Sequence, residues 1–411
     1  MTKISINPNS DIKVFLPFDI THTPRAYNLI NYLAAKGKKV TLFTCIVSGK
    51  VGEIKFPDQV STVSLFDLTK KTLQTFLIKL RFKISRVLLE KFRIETQSSF
   101  GYGTKEFIKI SNKDIHKNDV VFCFKEVGLM VGNHLIQAGH QNVIFDFEDW
   151  FSEDLPEKNR KYRPLKLIRK YEKNAIRQLS PILVPSIEMK LGFEKVFGKG
   201  NFHIYYNSFN SKNTEEDFKT NERNIKLIWF SQIVSFGRGL EEFFSILEHI
   251  NHPVHLNLIG KVDHKFSEFI EQKFKNYNIA HSYTLHGFVK DKELDLHIMN
   301  VHFGLGLEKT EILSRDLTIT YKCFRYLMNT TPLILSKTKG QEEFASITSN
   351  NYPIINFTNE AEIQESARQL NNLFSQVIDK DGYYLDLRHK TYKVSQKFEI
   401  YNILNEIVDL N

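Results

Sequence analysis

Cysteine is scarce. The 411-residue chain has three, Cys45, Cys123 and Cys323, far apart and with no C-x-x-C pair. That excludes a disulfide scaffold and a cysteine-rich zinc site, and it suits a reducing compartment. Gly (19) and Pro (11) are too few for a disordered or fibrous chain. No run of 18 or more apolar residues occurs, so no spanning helix is expected. The amino-terminal stretch MTKISINPNSDIKVFLPF has no basic segment leading into a long apolar one. No signal peptide is read there, and the cytoplasm is the expected location. Zinc-finger, helix-turn-helix and RNP-type patterns are missing, so nucleic acid is not an expected partner.

What is present is the balance of an ordinary globular protein, 42% hydrophobic and 25% charged residues. At about 150 residues per domain the length predicts two domains, or three. The net charge of +9 is unevenly placed: residues 1–200 hold 33 Lys+Arg against 20 Asp+Glu, and residues 201–411 hold 23 against 27. The basic half should face something anionic, such as a membrane surface or a phosphate-bearing acceptor.

Strand and helix signals alternate along the chain. IKVFLPF (12–18), KVTLFTC (39–45), VSTVSLF (60–66), DVVFCF (119–124), NVIFDF (142–147) and PILVPS (181–186) read as strands, and PRAYNLINYLAAKG (24–37) as a helix stopped by Gly37. A second alternation starts near residue 225, with strands at 225–231, 254–260, 282–289, 301–307 and 332–336 and helices at 239–250 and 321–330. The polar segment 210–224 between them reads as a linker. Such alternation predicts parallel sheets with right-handed crossovers. The expected architecture is α/β, two doubly wound Rossmann-like domains facing a central cleft, at 1–208 and 209–390. A helix at about 391–411 is expected to cross back to the first. Residues 69–95 read as a long helix with an apolar stripe, Leu73, Leu77, Leu80, Ile84, Val87 and Leu88, beside eight basic residues between 70 and 93 and one acidic residue, Glu90. One reading packs the stripe on the first sheet with the basic face solvated. The other lays the helix on an anionic bilayer.

Three segments carry chemistry. In SQIVSFGRGLEEF (231–243) a strand runs through Gly237, Arg238 and Gly239 into a helix. Glycines let the backbone approach a ligand, a helix N-terminus offers N–H groups to an anion, and arginine supplies a donor fork for phosphate. In LHGFVKDKELDLHIMNVHFGLGLE (285–308), His286, Phe288 and Val289 end one strand and Glu308 ends the next. Ligands of such sheets bind at strand carboxyl ends. In SRDLTITYKCFRYLMNTTPLILS (314–336), Thr320 is placed to cap a helix whose first turn carries Lys322. A cation there opposes the helix dipole and points to an anionic neighbour. In the first half, Asp146, Glu148, Asp149, Glu153 and Asp154 crowd one strand end. They read as an acceptor-facing group, as a turn and capping segment or, less favoured, as a divalent-metal pair.

Taken together the three C-terminal segments resemble the nucleotide-sugar glycosyltransferases of the GT-B fold, in the retaining, family-four-like group. That group has a glycine loop with a basic residue followed by G-L-E. An "hGfv" segment comes next, then a "GLaLE" strand, and "N-K-l-f-x-Y-l" ahead of a proline closes the pattern. The last is matched here by Tyr321-Lys322-Cys323-Phe324-Arg325-Tyr326-Leu327 and Pro332. RAYNLINYLAAKGKKVTLFTC, IFDFEDWFSEDL and YYNSFN are similar to the group's N-terminal segments, so the likeness covers nearly the whole chain.

The resemblance implies glycosyl transfer from a nucleoside-diphosphate-sugar to a glycan or lipid-linked acceptor, as in surface polysaccharide or glycoconjugate synthesis. It implies no cofactor and no metal. Arg238 and Lys322 would neutralise the donor phosphates and Glu308 would hold the donor sugar. Gly237, Gly239, His286, Phe288, Val289, Ser314, Arg315, Thr320, Tyr321 and Arg325 would complete the donor site. His22, Arg25, Asp146, Glu148 and Asp149 would face the acceptor. Arg325 stands where the group carries a ribose-binding glutamate, and Tyr321 where it carries asparagine. An inactive GT-B-like partner and a sugar-nucleotide epimerase are the alternatives.

Overall fold

The computed structural model describes residues 3–20, 23–47, 55–209 and 224–410. His22 and residues 210–223 of the linker lie outside them. The chain divides into two compact units. The first holds Met1–Ser208, Ile312–Ser314 and Ile400–Asn411, and the second Phe209–Glu311 and Arg315–Glu399.

The first unit is built on seven strands: β1 (Ile12–Leu16), β2 (Val40–Ile46), β3 (Val60–Asp67), β4 (Val120–Phe124), β5 (Val143–Asp146), β6 (Pro181–Val184) and β7 (Asn201–Ile204). All pair in parallel, in the order β3-β2-β1-β4-β5-β6-β7. β4 and β5 are buried along their whole length, whereas edge strand β3 alternates between half-buried and exposed positions. Helices on both faces of a parallel sheet require that pattern. The Pro24–Ala35 helix opens on proline, which gives up no hydrogen bond at a first turn. It stops where Gly37 takes φ +79°. A short parallel pair, Ile4–Ser5 with Val408–Asp409, joins the chain's two ends. The Ile400–Ile407 helix before it buries Ile400, Ile403, Leu404 and Ile407.

The second unit repeats the plan with six strands: β8 (Ile225–Val234), β9 (Val254–Val262), β10 (Ser282–Gly287), β11 (Phe303–Gly306), β12 (Leu333–Ser336) and β13 (Ile354–Ile355). They too are parallel, in the order β10-β9-β8-β11-β12-β13. Gly304 of β11 has its place fixed by packing, because a Cβ there would lie 2.4 Å from the Tyr326 ring. The Tyr326 hydroxyl donates to the Ile228 and Leu305 carbonyls at 3.2 and 3.3 Å, locking the Tyr321–Met328 helix onto the sheet.

In both sheets the strand order reverses beside the first strand, between β1 and β4 and between β8 and β11. Loops at the carboxyl ends diverge there and leave room for a ligand.

One expectation is corrected here. The Leu73–Phe92 helix does not pack its apolar stripe on the sheet. Thr75, Ile78, Ser85 and Leu89 face inward, while Leu73, Leu77, Leu80, Ile84 and Val87 stay exposed. The small Thr75 and Ser85 let the helix backbone lie close to the body of the unit, and Phe82 seats on Tyr102 with ring centroids 4.3 Å apart. That inner face is complete without the stripe.

Candidate functional site

The second unit gathers its candidate groups at the β8/β11 switch point. β8 ends at Val234, and the loop after it carries Gly237 and Gly239, both with positive φ (+80° and +84°). The Gly237 N–H donates to Glu241 Oε1 at 2.5 Å. A Cβ on Gly239 would lie 3.1 Å from Leu307 Cβ and 3.7 Å from the Glu308 nitrogen. The loop therefore sits directly against the exit of β11, and it carries the half-buried Arg238.

Glu308, the second residue past β11, is 3% exposed. Its backbone is clamped by Ser336 at the end of β12: the Glu308 N–H donates to Ser336 Oγ, and Ser336 Oγ donates to the Glu308 carbonyl, both at 2.8 Å. Its Oε1 lies 3.1 Å from Lys322 Nζ. Its Oε2 is buried with no hydrogen-bond partner. Lys322 also points at the Leu307 carbonyl (3.5 Å) and sits 4.8 Å from the centroid of the buried Trp229 ring. The anionic neighbour foreseen for this first-turn lysine is thus, in the first place, a protein carboxylate. A buried acid with one oxygen neutralised and the other unsatisfied is set to accept hydrogen bonds from hydroxyls.

The remaining donor-site candidates divide. His286 bonds Asn257 Oδ1 through Nε2 at 2.8 Å, Val289 is half-buried, and Phe288 is 72% exposed at the end of β10. Arg315 and Tyr321 are half-buried. Thr320 occupies the N-cap position, but its hydroxyl makes no capping bond and lies 3.7 Å from Cys323 Sγ. Two candidates have their polar groups engaged by other parts of the protein. Ser314 groups with the first unit, fully buried, where its Oγ accepts from the Trp150 N–H at 2.9 Å. Arg325, only 9% exposed, turns to the Asp291–Met299 helix. Its Nε donates to Asp295 at 2.7 Å, one Nη to the Asp291 carbonyl at 2.9 Å, and the other to the Tyr321 hydroxyl at 3.4 Å.

The first unit has its own cluster at the carboxyl ends of β4 and β5. Arg25 and Asp146 form a bidentate pair at 3.0 and 2.8 Å, 4% and 2% exposed. Arg25 also donates to the Tyr205 carbonyl and stacks 4.1 Å from the Tyr205 ring centroid. Each Asp146 oxygen accepts one bond from Arg25, so the pair is first of all a tie between the Pro24–Ala35 helix and the end of β5. Glu148 pairs with Lys125, and Asp149 is half-buried next to it. Lys125 opens the Lys125–Gln137 helix at φ +62°, a conformation a non-glycine residue adopts at a cost. Burial pulls its ammonium below the usual range against the nearby Asp149 and Asp146. Among the described residues no three His, Cys, Asp or Glu side chains assemble as a metal site. Burial pushes the Cys45 and Cys323 thiols up to about 12, which leaves them inert as nucleophiles.

Sequence reasoning passed over Lys125, Trp229 and Ser336. Lys125 and Ser336 had a signal, since each stands at or just past the carboxyl end of a buried strand. Trp229 had none, because its ring meets Lys322 only through the fold.

No protein-family model matches the chain, and no curated protein matches it in sequence. Solved structures do match in three dimensions. The sucrose-phosphate synthase of Thermosynechococcus elongatus superposes with a TM-score of 0.66 at 14% identity over 97% of each chain. Anabaena HepE, crystallised with UDP and glucose, gives 0.60 at 12% over 97% of this chain and 98% of that one. This chain has the GT-B fold. The N-terminal domain of Candida albicans trehalose-6-phosphate phosphatase is also similar, with a TM-score of 0.62 at 11% identity over 98% and 96% of the two chains. Fold alone therefore does not decide the reaction.

Proposed function

We propose that the chain is a glycosyltransferase whose donor is a nucleoside-diphosphate-sugar bound at the carboxyl edge of the second sheet. One observation carries this reading: the buried Glu308, held to Lys322 at 3.1 Å, with its second carboxylate oxygen unsatisfied beside a glycine loop at the switch point. In this reading Glu308 Oε2 accepts from hydroxyls of the donor sugar. As the bond from the anomeric carbon to the phosphate breaks, its electron pair leaves with the diphosphate. Lys322 and Arg238 stabilise that charge, and the acceptor oxygen forms the new bond to the anomeric carbon as its proton passes to an oxygen of the departing diphosphate. Fixed charges aimed at a leaving group act without a metal, each worth about 2–4 kcal/mol in the transition state. The reaction proposed is retaining and metal-independent. The solved relative that holds UDP and glucose supports a donor of this class.

The acceptor is proposed to be a glycan or lipid-linked glycan taken by the first unit, with Lys125, Glu148 and Asp149 as the groups nearest to it. The excess of basic residues in that half favours work at an anionic membrane surface. The test is a panel of UDP-, GDP-, dTDP- and CDP-sugars, with diphosphate release and calorimetric affinity both measured, with and without excess chelator. Release and micromolar binding of one donor, unchanged by chelator, is the expected result. Binding with no release and no transfer to any acceptor would favour the inactive alternative. No binding of any donor would end the proposal.

A further inference from the structure

We infer that the Leu73–Phe92 helix inserts its outer face into an anionic lipid bilayer, rather than resting on it by charge alone. Leu73, Phe76, Leu77, Leu80, Ile84 and Val87 fall at spacings of one, three and four, so they form a single stripe along the helix. They are 75%, 60%, 45%, 39%, 51% and 41% exposed. The buried residues Thr75, Ile78, Ser85 and Leu89 lie on the opposite side, so the stripe points straight away from the body of the unit. A continuous apolar face of this length is unusual on a soluble surface and marks an interaction site.

The charge around the stripe selects the occupant. Residues 70–93 hold eight Lys or Arg and one acid, Glu90, with Arg81 paired to Glu106 and Arg86 to Glu90. Lys71, Lys83 and Lys91 are exposed. A second basic surface lies in the same unit. Arg86 stacks 5.5 Å from the Tyr162 ring centroid, and the Lys166 and Leu167 N–H groups donate to Glu95 at 3.1 and 2.8 Å. This leads to the Leu165–Arg177 helix, where Lys166, Arg169, Lys170, Lys173 and Arg177 line one open groove of about 510 Å³. Cations bordering an apolar stripe suit the headgroup layer of an anionic bilayer, with the stripe reaching the acyl boundary. A second copy of the chain would place like charge against like charge. At 20 residues the helix is about 30 Å long, and it is too polar to cross a membrane. It lies in the plane of the interface.

This inference concerns a surface apart from the donor groups and stands whether or not the chain transfers sugar. The test uses the full chain in sedimentation with vesicles of phosphatidylcholine carrying 30% phosphatidylglycerol, and with phosphatidylcholine alone, at 0.1 and 0.5 M salt. The variants are the triple Leu77→Ser/Leu80→Ser/Ile84→Ser and the triple Lys71→Gln/Lys83→Gln/Lys91→Gln. Wild type should bind the anionic vesicles and keep part of that binding at high salt. The apolar triple should lose at least tenfold in partitioning while melting at the wild-type temperature, because its three side chains are exposed. The lysine triple should lose binding chiefly at low salt. Equal binding by wild type and the apolar triple would overturn insertion, as would no wild-type binding. So would a wild-type dimer in gel filtration that the apolar triple converts to a monomer, since the stripe would then cover a second copy.

Discussion

Each unit pairs a cation with a buried carboxylate at the carboxyl edge of its sheet, and the two pairs are finished differently. In the first, Arg25 uses Nε and both Nη groups on Asp146 and the Tyr205 carbonyl, and each Asp146 oxygen accepts a bond. In the second, Lys322 meets only one oxygen of Glu308, and Oε2 stays unsatisfied. A filled pair ties elements together. A half-filled pair retains binding capacity, at the cost of a desolvated oxygen that a bound hydroxyl would relieve. The comparison teaches that burial and charge alone do not mark a site, and neither does an unmet oxygen alone, since Glu106 and Glu172 also leave one; Glu308 differs in standing beside the glycine loop at the switch point.

The largest expected effect comes from cutting the filled pair. Arg25→Ala leaves Asp146 buried without its partner, and breaking such a pair costs about 3–5 kcal/mol. Denaturant unfolding should show that loss, while whatever protein remains folded binds nucleoside diphosphate as wild type does. A variant of normal stability with weakened donor binding would reverse the roles assigned to the two pairs. Cutting the half-filled pair should do the opposite. Lys322→Ala is expected to lower glycosyl transfer about 10²–10³-fold, the usual consequence of removing one transition-state donor. Its stability loss should be smaller than that of Arg25→Ala, because the half-buried Lys322 makes one ion pair and two looser contacts where the buried Arg25 makes three hydrogen bonds. Steady-state transfer and unfolding measured on both variants decide whether the contrast holds.

A third buried acid sharpens the comparison from the first unit. Glu172 is fully buried, accepts the Ser152 N–H at 3.1 Å, and is pushed by burial from 4.5 up to about 7. The folded state therefore holds this proton more tightly than the unfolded chain. Its stabilising contribution is complete below about pH 4.5, falls as pH rises toward 7, and is constant above that. Unfolding free energy at pH 8 should lie below that at pH 5 by up to roughly 3 kcal/mol from this group. Glu172→Gln should remove that part of the slope. An unchanged slope in the variant would place the pH dependence elsewhere.

The fold was legible because strand–helix alternation is local, and IKLIWFS, VHLNLIG and PLILS announce themselves within seven residues. The order of the strands follows from parallel crossovers. Pairings were not legible, since Arg25 finds its carboxylate 121 residues away and nothing in IFDFED says that Asp146 looks back at the first helix. The same holds for the stripe of the Leu73–Phe92 helix. Periodicity shows that an apolar face exists but not what that face meets, and small residues on the other side took the inward position. Glu308 and Lys322 were legible as positions at strand and helix ends. Their contact, and the open oxygen it leaves, needed the fold.

The smallest effect is expected at Arg325, where sequence pattern and structure pull apart. The position matches one where a related glutamate would accept from ribose hydroxyls, which an arginine cannot do. In the structure its guanidinium is engaged by Asp295, the Asp291 carbonyl and the Tyr321 hydroxyl. Although burial disfavours the charge, Tyr321 and Asp295 hold the guanidinium above its ordinary pKa. These bonds fasten the Tyr321–Met328 helix to the Asp291–Met299 helix. Arg325→Gln keeps at most one donor group toward Asp295 and gives up the charge and the bonds to the Asp291 carbonyl and the Tyr321 hydroxyl, so stability should fall by about 2 kcal/mol. The order of affinity among uridine, guanosine, thymidine and cytidine diphosphates, measured by calorimetry, should stay as in the wild type. A reordering of those four would bring Arg325 into the nucleotide site and make Asp295 its positioning partner.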